Sequence, residues 1–185
     1  MDKKQNKQHF DLSHHSNAKI GVLSDTHCYI DPSVVSQLEG CDVILHAGDI
    51  GSIEVIKQLK SICDDVISVC GNNDNELQWQ EHEHAELKNI PQIAEVGLSG
   101  GMITITHGDE YFSDYDIWHQ ELRNNFSNSK AIIYGHSHKL VCDQSDQPWV
   151  LNPGASGETR IQRHGVSCLL IHTNNENWKV EEFRA

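Results

Sequence analysis

Five apolar runs in this chain each lead into residues that can ligate a metal ion. Asp25 and His27 follow Ile20-Gly-Val-Leu23, and Asp49 follows Val43-Ile-Leu45 by way of His46-Ala-Gly. Asn72 follows Val66-Ile-Ser-Val69, His107 follows residues 102–106, and His136 and His138 follow Ala131-Ile-Ile-Tyr134. Short apolar runs bounded by turn signals read as buried strands. The seven candidate ligands therefore sit at strand ends. A chain of this kind must fold so that many strand ends meet at one rim, which is where open α/β sheets bind ligands. In an extended segment, residues i and i+2 point to the same side. On that basis Asp25 with His27, and His136 with His138, each aim two ligands at one point. Together the seven have the capacity for two ions.

The runs are separated by helical patterns. Asp31 caps and Pro32 opens a helix to about Leu38. A second helix runs from about Ser52 to Lys60, with Ile53, Ile56 and Leu59 on one face. Strand, helix, strand, helix, strand reads as two βαβ units and a parallel sheet. Residues 75–90 are polar and acidic, a loop or a short helix. Residues 92–96 and 102–106 flank Gly97-Leu-Ser-Gly-Gly101, a hairpin signal. A helix is predicted over 114–126 with Ile117, Leu122 and Phe126 toward the core. Further strands are predicted at 140–142, 149–151, 166–171 and 178–182. No repeat or linker divides these elements, so residues 18–185 read as one domain of two packed sheets flanked by helices. Residues 1–17 are polar and read as a mobile tail whose His9, His14 and His15 are solvated, with binding of stray metal as the alternative.

Charge and composition narrow the function. Fourteen Lys and Arg stand against 27 Asp and Glu, a net charge of −13, which argues against a nucleic-acid groove or an anionic membrane surface as partner. No apolar run reaches 18 residues, so no membrane span is expected, and no apolar leader core is present. The six cysteines form no CxxC pair and read as reduced thiols of a cytoplasmic protein. An acidic protein holds phosphate poorly unless something local reverses the field, and two divalent cations would do so. The ligand set is carboxylate, imidazole and amide without thiolate. That suits Mn²⁺, Fe²⁺, Co²⁺, Ni²⁺ or Zn²⁺ better than Ca²⁺, and four histidines argue against Mg²⁺ alone.

The series Asp25-Thr-His27, Gly48-Asp49, Gly71-Asn-Asn-Asp74, His107-Gly108 and Gly135-His-Ser-His138 resembles the calcineurin-like metallophosphoesterases, in particular their small single-domain phosphodiesterase branch. Asn152-Pro-Gly154 matches a further short motif of that branch, and the resemblance covers roughly residues 19–172. It implies an α/β fold, a four-layer α/β/β/α sandwich of two mixed sheets flanked by helices. It implies two divalent metal ions, with Mn²⁺ the first choice. Asp25, His27 and His138 would hold the first, Asn72, His107 and His136 the second, and Asp49 would bridge both. Asp49, His107 and Asn72 are the residues assigned to catalysis. The activity implied is hydrolysis of a small phosphate ester, most simply a diester, by a metal-bridging hydroxide that attacks phosphorus in line with the leaving oxygen. A phosphomonoesterase or small-nucleotide hydrolase would use the same site. A non-catalytic protein-interaction scaffold of the same fold, as in a branch that serves membrane traffic, is the reading from another class; the intact ligand set argues against lost metal binding. A homodimer is compatible with all of these.

Two positions depart from the wider superfamily. Asn73 stands where phosphoprotein phosphatases carry a histidine that acts as leaving-group acid, and Asp109 replaces a histidine that often follows the His-Gly pair. The chain is thus expected to favour good leaving groups or to borrow an acid elsewhere. Other residues have plainer readings. His46 is structural, Asp74 orients Asn72 or caps its loop, Cys28 is an inert thiol, and Trp79 and Trp118 are core. Glu81-His-Glu-His84 is a solvated face, and Arg160 is a phosphate clamp or a surface arginine.

Overall fold

Alternation along the strands sends successive side chains into different apolar layers. The computed structural model describes residues 6–111, 115–157, 165–175 and 177–185. In chain order its elements are β1 (Lys7–Asp11), β2 (Asn17–Leu23), α1 (Pro32–Leu38), β3 (Val43–His46), α2 (Ile53–Lys60) and β4 (Asp65–Ser68). There follow α3 (His84–Leu87), β5 (Ile93–Leu98), β6 (Gly101–Thr106), α4 (Tyr115–Asn125) and β7 (Ala131–Ile133). The chain closes with β8 (Leu140–Asp143), β9 (Trp149–Pro153), β10 (Ser167–Asn174) and β11 (Asn177–Arg184).

Among the described residues the strands form two sheets, ordered β1-β5-β6-β7-β9-β8 and β11-β10-β2-β3-β4. Ile20, Val22, Val43, Leu45, Leu169 and Ile171 of the second sheet share one cluster with Ile103, Ile105, Ala131, Ile133 and Leu151 of the first. Their sequence neighbours point the other way. Leu23, Ile44, Cys168 and Leu170 pack with Val34 and Leu38 of α1 and Val55, Ile56 and Leu59 of α2. Ile132, Val150 and Tyr134 pack with Trp118 and Leu122 of α4. The result is the four-layer α/β/β/α sandwich, with two mixed sheets, that the motifs imply.

Local signals account for the helix starts. Asp31 Oδ1 accepts from Ser33 N at 2.8 Å, and Pro32 opens α1. Ser52 Oγ accepts from Glu54 N at 3.1 Å at the start of α2. Glu83 reinforces that cap, since its Oε1 accepts from Ser52 Oγ at 2.9 Å and Ile53 N at 3.0 Å. The 81–84 segment is therefore not a wholly solvated face: Glu83 is 2% exposed. On the other side, Arg123 of α4 donates to Asp143 Oδ2 at 2.7 Å. The same carboxylate oxygen lies 3.1 Å from His119 Nδ1, and His119 Nε2 lies 2.9 Å from Tyr134 Oη. This polar chain pins α4 across β7 and β8.

Two further expectations fail. Residues 7–11 belong to no loose tail; they are an edge strand paired parallel with β5, from Lys7 opposite Ile93 to Asp11 opposite Gly97. The strand is polar because one neighbour and one face are all it serves, as is common at sheet edges. Phe10 still packs against the inter-sheet core, Leu12 is buried, and Lys7 pairs with Glu95 at 2.5 Å. In α4, Ile117 faces out at 55% exposed, while Trp118 and Leu122, four residues apart, are fully buried. Leu122→Ala should cost about 2–5 kcal/mol and Ile117→Ala no more than about 0.5 kcal/mol, read by denaturant unfolding. Equal losses would contradict this placement of the helix face.

Candidate metal centre

The carboxyl ends of β2, β3, β4, β6 and β7 open onto one rim. Parallel pairing of β2 with β3 and β3 with β4, and of β6 with β7, keeps those ends together. Beyond the strands the loops continue to hydrogen-bond side by side. Asp25 N donates to Gly48 O and His27 N to Asp49 O, both at 3.0 Å, and Gly135 N donates to His107 O at 3.0 Å. The i/i+2 argument has the right residues and the wrong backbone. Asp25, His27, Asp49, His136 and His138 all have positive φ, at 53°, 45°, 54°, 64° and 55°. They are left-handed turns, not extended strand. Such conformations cost on the order of 1–3 kcal/mol each and persist where the surroundings over-determine them, which is a mark of functional sites.

All seven sequence-predicted ligands come together. Asp25, His27 and His138 offer ligand atoms within 4.8 Å of one another, and His138 Nε2 lies 3.2 Å from Asp25 Oδ1. Asn72 Oδ1 lies 3.1 Å from His107 Nε2 and 2.9 Å from His136 Nδ1. Asp49 Oδ2 stands between the groups, 3.8 Å from His27 Nε2 and 3.5 Å from His107 Nε2.

The electrostatics suit cations. Asp25 Oδ1 is buried and accepts no hydrogen bond. His107 Nδ1 is 2.8 Å from Ala47 O and must donate to it, so Nε2 faces two oxygens. A proton or a cation at Nε2 satisfies that arrangement. In the protein without metal a proton does so: burial opposes the charge, but Asp49 and Asp25 lift the His107 pKa to about 9. Burial likewise works to raise the pKa of Asp49. His107 and the two Asn73 N–H groups override it and hold the carboxyl well below its usual range. Asp25 raises His138 against burial, whereas burial and the nearby His107 lower His136. The donor set, buried and with its lone pairs converging, fits divalent cations that take nitrogen and oxygen ligands.

A supporting layer holds the ligands, and sequence reasoning found only part of it. Asn73 donates to Asp49 twice, from N to Oδ1 at 2.8 Å and from Nδ2 to Oδ2 at 2.7 Å. Asp74 caps the loop as one of its two predicted roles: it accepts from Ile50 N, Gly51 N, Gly71 N and Trp79 Nε1 at 2.9–3.0 Å. Trp79 is thereby held in the core beneath the site. His46 is fully buried and pushed down to about 3 by burial, hence neutral. Gly48 N donates to its Nδ1 at 3.2 Å, so the proton is on Nε2, toward Thr26 Oγ1 at 2.9 Å. Asn152 explains the Asn-Pro-Gly motif. Its Nδ2 donates to Gly135 O at 2.7 Å and Ser137 Oγ at 3.1 Å, and its Oδ1 accepts from Gly154 N at 2.9 Å. The loop carrying His136 and His138 is thus fixed from β9. Asp109 lines a cleft of about 270 Å³ beside the site, with Asn72, His107, Leu87, Lys88 and Gln92. Arg160 lies outside the described residues.

Close approach makes two glycines necessary. A Cβ on Gly71 would collide with Asp49 Oδ1 and its backbone nitrogen, and one on Gly135 with Ser24 Oγ. Gly71→Ala should therefore displace Asp49 and lower bound metal while the far-ultraviolet circular dichroism stays native. Unchanged metal content by elemental analysis would contradict the close fit.

Residues 18–176 match the calcineurin-like phosphoesterase superfamily domain, and the chain belongs to that superfamily. It is 28% identical over 145 residues to a phosphodiesterase of Methanocaldococcus jannaschii, covering 74% of this chain and 82% of that protein. A wild-type Vps29 of Entamoeba histolytica solved in complex with Zn²⁺ superposes with a TM-score of 0.69 at 17% identity, over 90% of this chain and 98% of that one. A structure described as that of a novel archaeal phosphodiesterase gives 0.64 at 23% identity, over 89% and 99%. Among the described residues no helix is long and apolar enough to cross a membrane.

Proposed function

We propose that the chain is a dinuclear metal-dependent phosphodiesterase. The observation that carries this reading is Asp49 Oδ2 standing between two convergent ligand groups, 3.8 Å from His27 Nε2 and 3.5 Å from His107 Nε2. Asp25, His27 and His138 would hold one cation, Asn72, His107 and His136 the other, and Asp49 both. When bound, the pair supplies Lewis acidity that makes a hydroxide available near neutral pH and offsets charge on the phosphoryl oxygens. The phosphodiesterase relative in M. jannaschii supports a diester as substrate. Manganese is the first choice, and the zinc complex of the E. histolytica protein supports zinc as an alternative. A small phosphate ester fits the modest cleft beside Asn72 and His107.

The chain's own residues have separable tasks. Ala47 O fixes the His107 ring so that Nε2 faces the centre. Asn152 holds the loop that aims His136 and His138. Asn73 is a positioning residue: its amide orients the bridging carboxylate, and an amide has no proton to give a departing alkoxide. Lys88 in the cleft is 3.1 Å from Glu76, which tempers its charge toward an anionic substrate.

Metal removal tests the reading. After chelation the protein should hydrolyse neither bis-p-nitrophenyl phosphate nor p-nitrophenyl phosphate. Readdition of Mn²⁺ should restore the diester reaction preferentially. Asp49→Ala should cost about 100-fold or more, the scale of several kcal/mol of transition-state stabilisation. Wild-type protein inert toward both esters with every metal would favour the protein-interaction scaffold, a reading supported by the Vps29 likeness. Without an acid at position 73, rates should fall as leaving-group pKa rises across a series of aryl diesters. A flat dependence while chemistry limits the rate would show that another group supplies the proton.

A further inference from the structure

A second set of metal-ligating side chains lies at the opposite end of the sheets. His14 and His15, in the turn between β1 and β2, meet Asp65, the first residue of β4, with one ligand atom from each within 4.8 Å of the others. Asp65 opens β4 opposite Val43, the first residue of β3, whereas the rim described above follows the other ends of these strands. We propose that His14, His15 and Asp65 form a separate site for a zinc-class divalent cation, which clips the β1–β2 crossover to the β4 edge.

His15 and Asp65 are hydrogen-bonded, and their spacing also suits a shared ion. His15 Nε2 is 3.4 Å from Asp65 Oδ2, and His15 is half-buried. That is long for N–H···O, whose mode is about 2.9–3.0 Å. It matches the separation of about 3.3–3.4 Å between two ligands each about 2.0–2.1 Å from a tetrahedral ion.

The local backbone is built to present both imidazoles. Neighbouring residues of an extended chain point to opposite sides, yet the His14 and His15 rings lie 4.3 Å apart with planes 36° from parallel. A turn brings them together. His15 N donates to Leu12 O at 3.1 Å, Ser13 N donates to Asp11 Oδ1 at 3.0 Å, and buried Leu12 anchors the turn. Two imidazoles and one carboxylate select Zn²⁺, or Co²⁺, Ni²⁺ and Cu²⁺, over Mg²⁺ and Ca²⁺, and water completes the coordination. The structural gain is specific. β1 has a single strand neighbour, and the segment after it passes from one sheet to the other. An edge held this way is where a fold opens locally, and a cation joining the crossover to β4 closes it.

This inference does not rest on the phosphoesterase reading, and its test reads differences in metal. Chelator-stripped full-length wild type, H14A/H15A and D65N are loaded with ZnCl₂, desalted and counted by mass spectrometry. The expected result is one zinc equivalent more in wild type than in either variant. Zinc at about 100 times its Kd should also raise the wild-type Tm by about 5 °C or more beyond its effect on the variants. Zinc-dependent amide protection over residues 7–15 should appear in wild type alone. Equal zinc counts in wild type and a folded D65N overturn the site, as do equal counts in wild type and H14A/H15A. The isosteric D65N decides the matter if the double variant fails to fold.

Discussion

The buried carboxylate of Asp49 is the interaction on which the rest of the rim depends. At 2% exposed it would be expelled as a charge unless it were paired and hydrogen-bonded. Its two oxygens take both N–H groups of Asn73, while Oδ2 remains directed at His27 and His107. Each neighbour answers to this placement. Gly71 lacks a side chain because Asp49 occupies the space. Asp74 gathers the amides of Ile50, Gly51 and Gly71, which bracket Asp49 on both sides. His107 turns its Nδ1 to Ala47 O and so keeps its other nitrogen at the centre.

The sandwich supplies what no single loop could. Three βαβ-linked parallel strands bring Asp25, His27, Asp49 and Asn72 from one sheet. β6 and β7 bring His107, His136 and His138 from the other. The inter-sheet cluster of Ile, Val, Leu and Ala fixes the separation of the two sheets, and with it the gap across which Asn72 meets His107 and His136. Five left-handed candidate ligands are tolerable because their loops remain hydrogen-bonded to one another beyond the strand ends. Strain at the rim is held by regularity beneath it. Structures named for Vps29 and for a phosphodiesterase share this frame, so the frame alone does not define an activity.

The candidate ligands are legible because side chains that can bind metal are chemically conspicuous at strand ends, and the inner strands because alternation is strict in buried sheets. What stayed hidden depends on contacts distant in sequence. β1 looks like a polar tail until β5 stands beside it. Glu83 looks solvated until the start of α2 claims it. Ile117 and Trp118 are adjacent, and only the docking of α4 on β7 and β9 decides which is core. The left-handed turns were invisible because Asp and His do not announce positive φ as glycine does. In the sequence Asn73 shows only the proton it lacks and not the carboxylate it holds, since its partner lies 24 positions away.

The central claim is that Asp49 is shared by two cations. Electron paramagnetic resonance of the protein loaded with two equivalents of Mn²⁺ tests it most directly. The account predicts the multiline spectrum of an exchange-coupled pair in wild type, replaced in Asp49→Ala by the six-line signal of isolated Mn²⁺. Isolated six-line Mn²⁺ in wild type at full loading would contradict it.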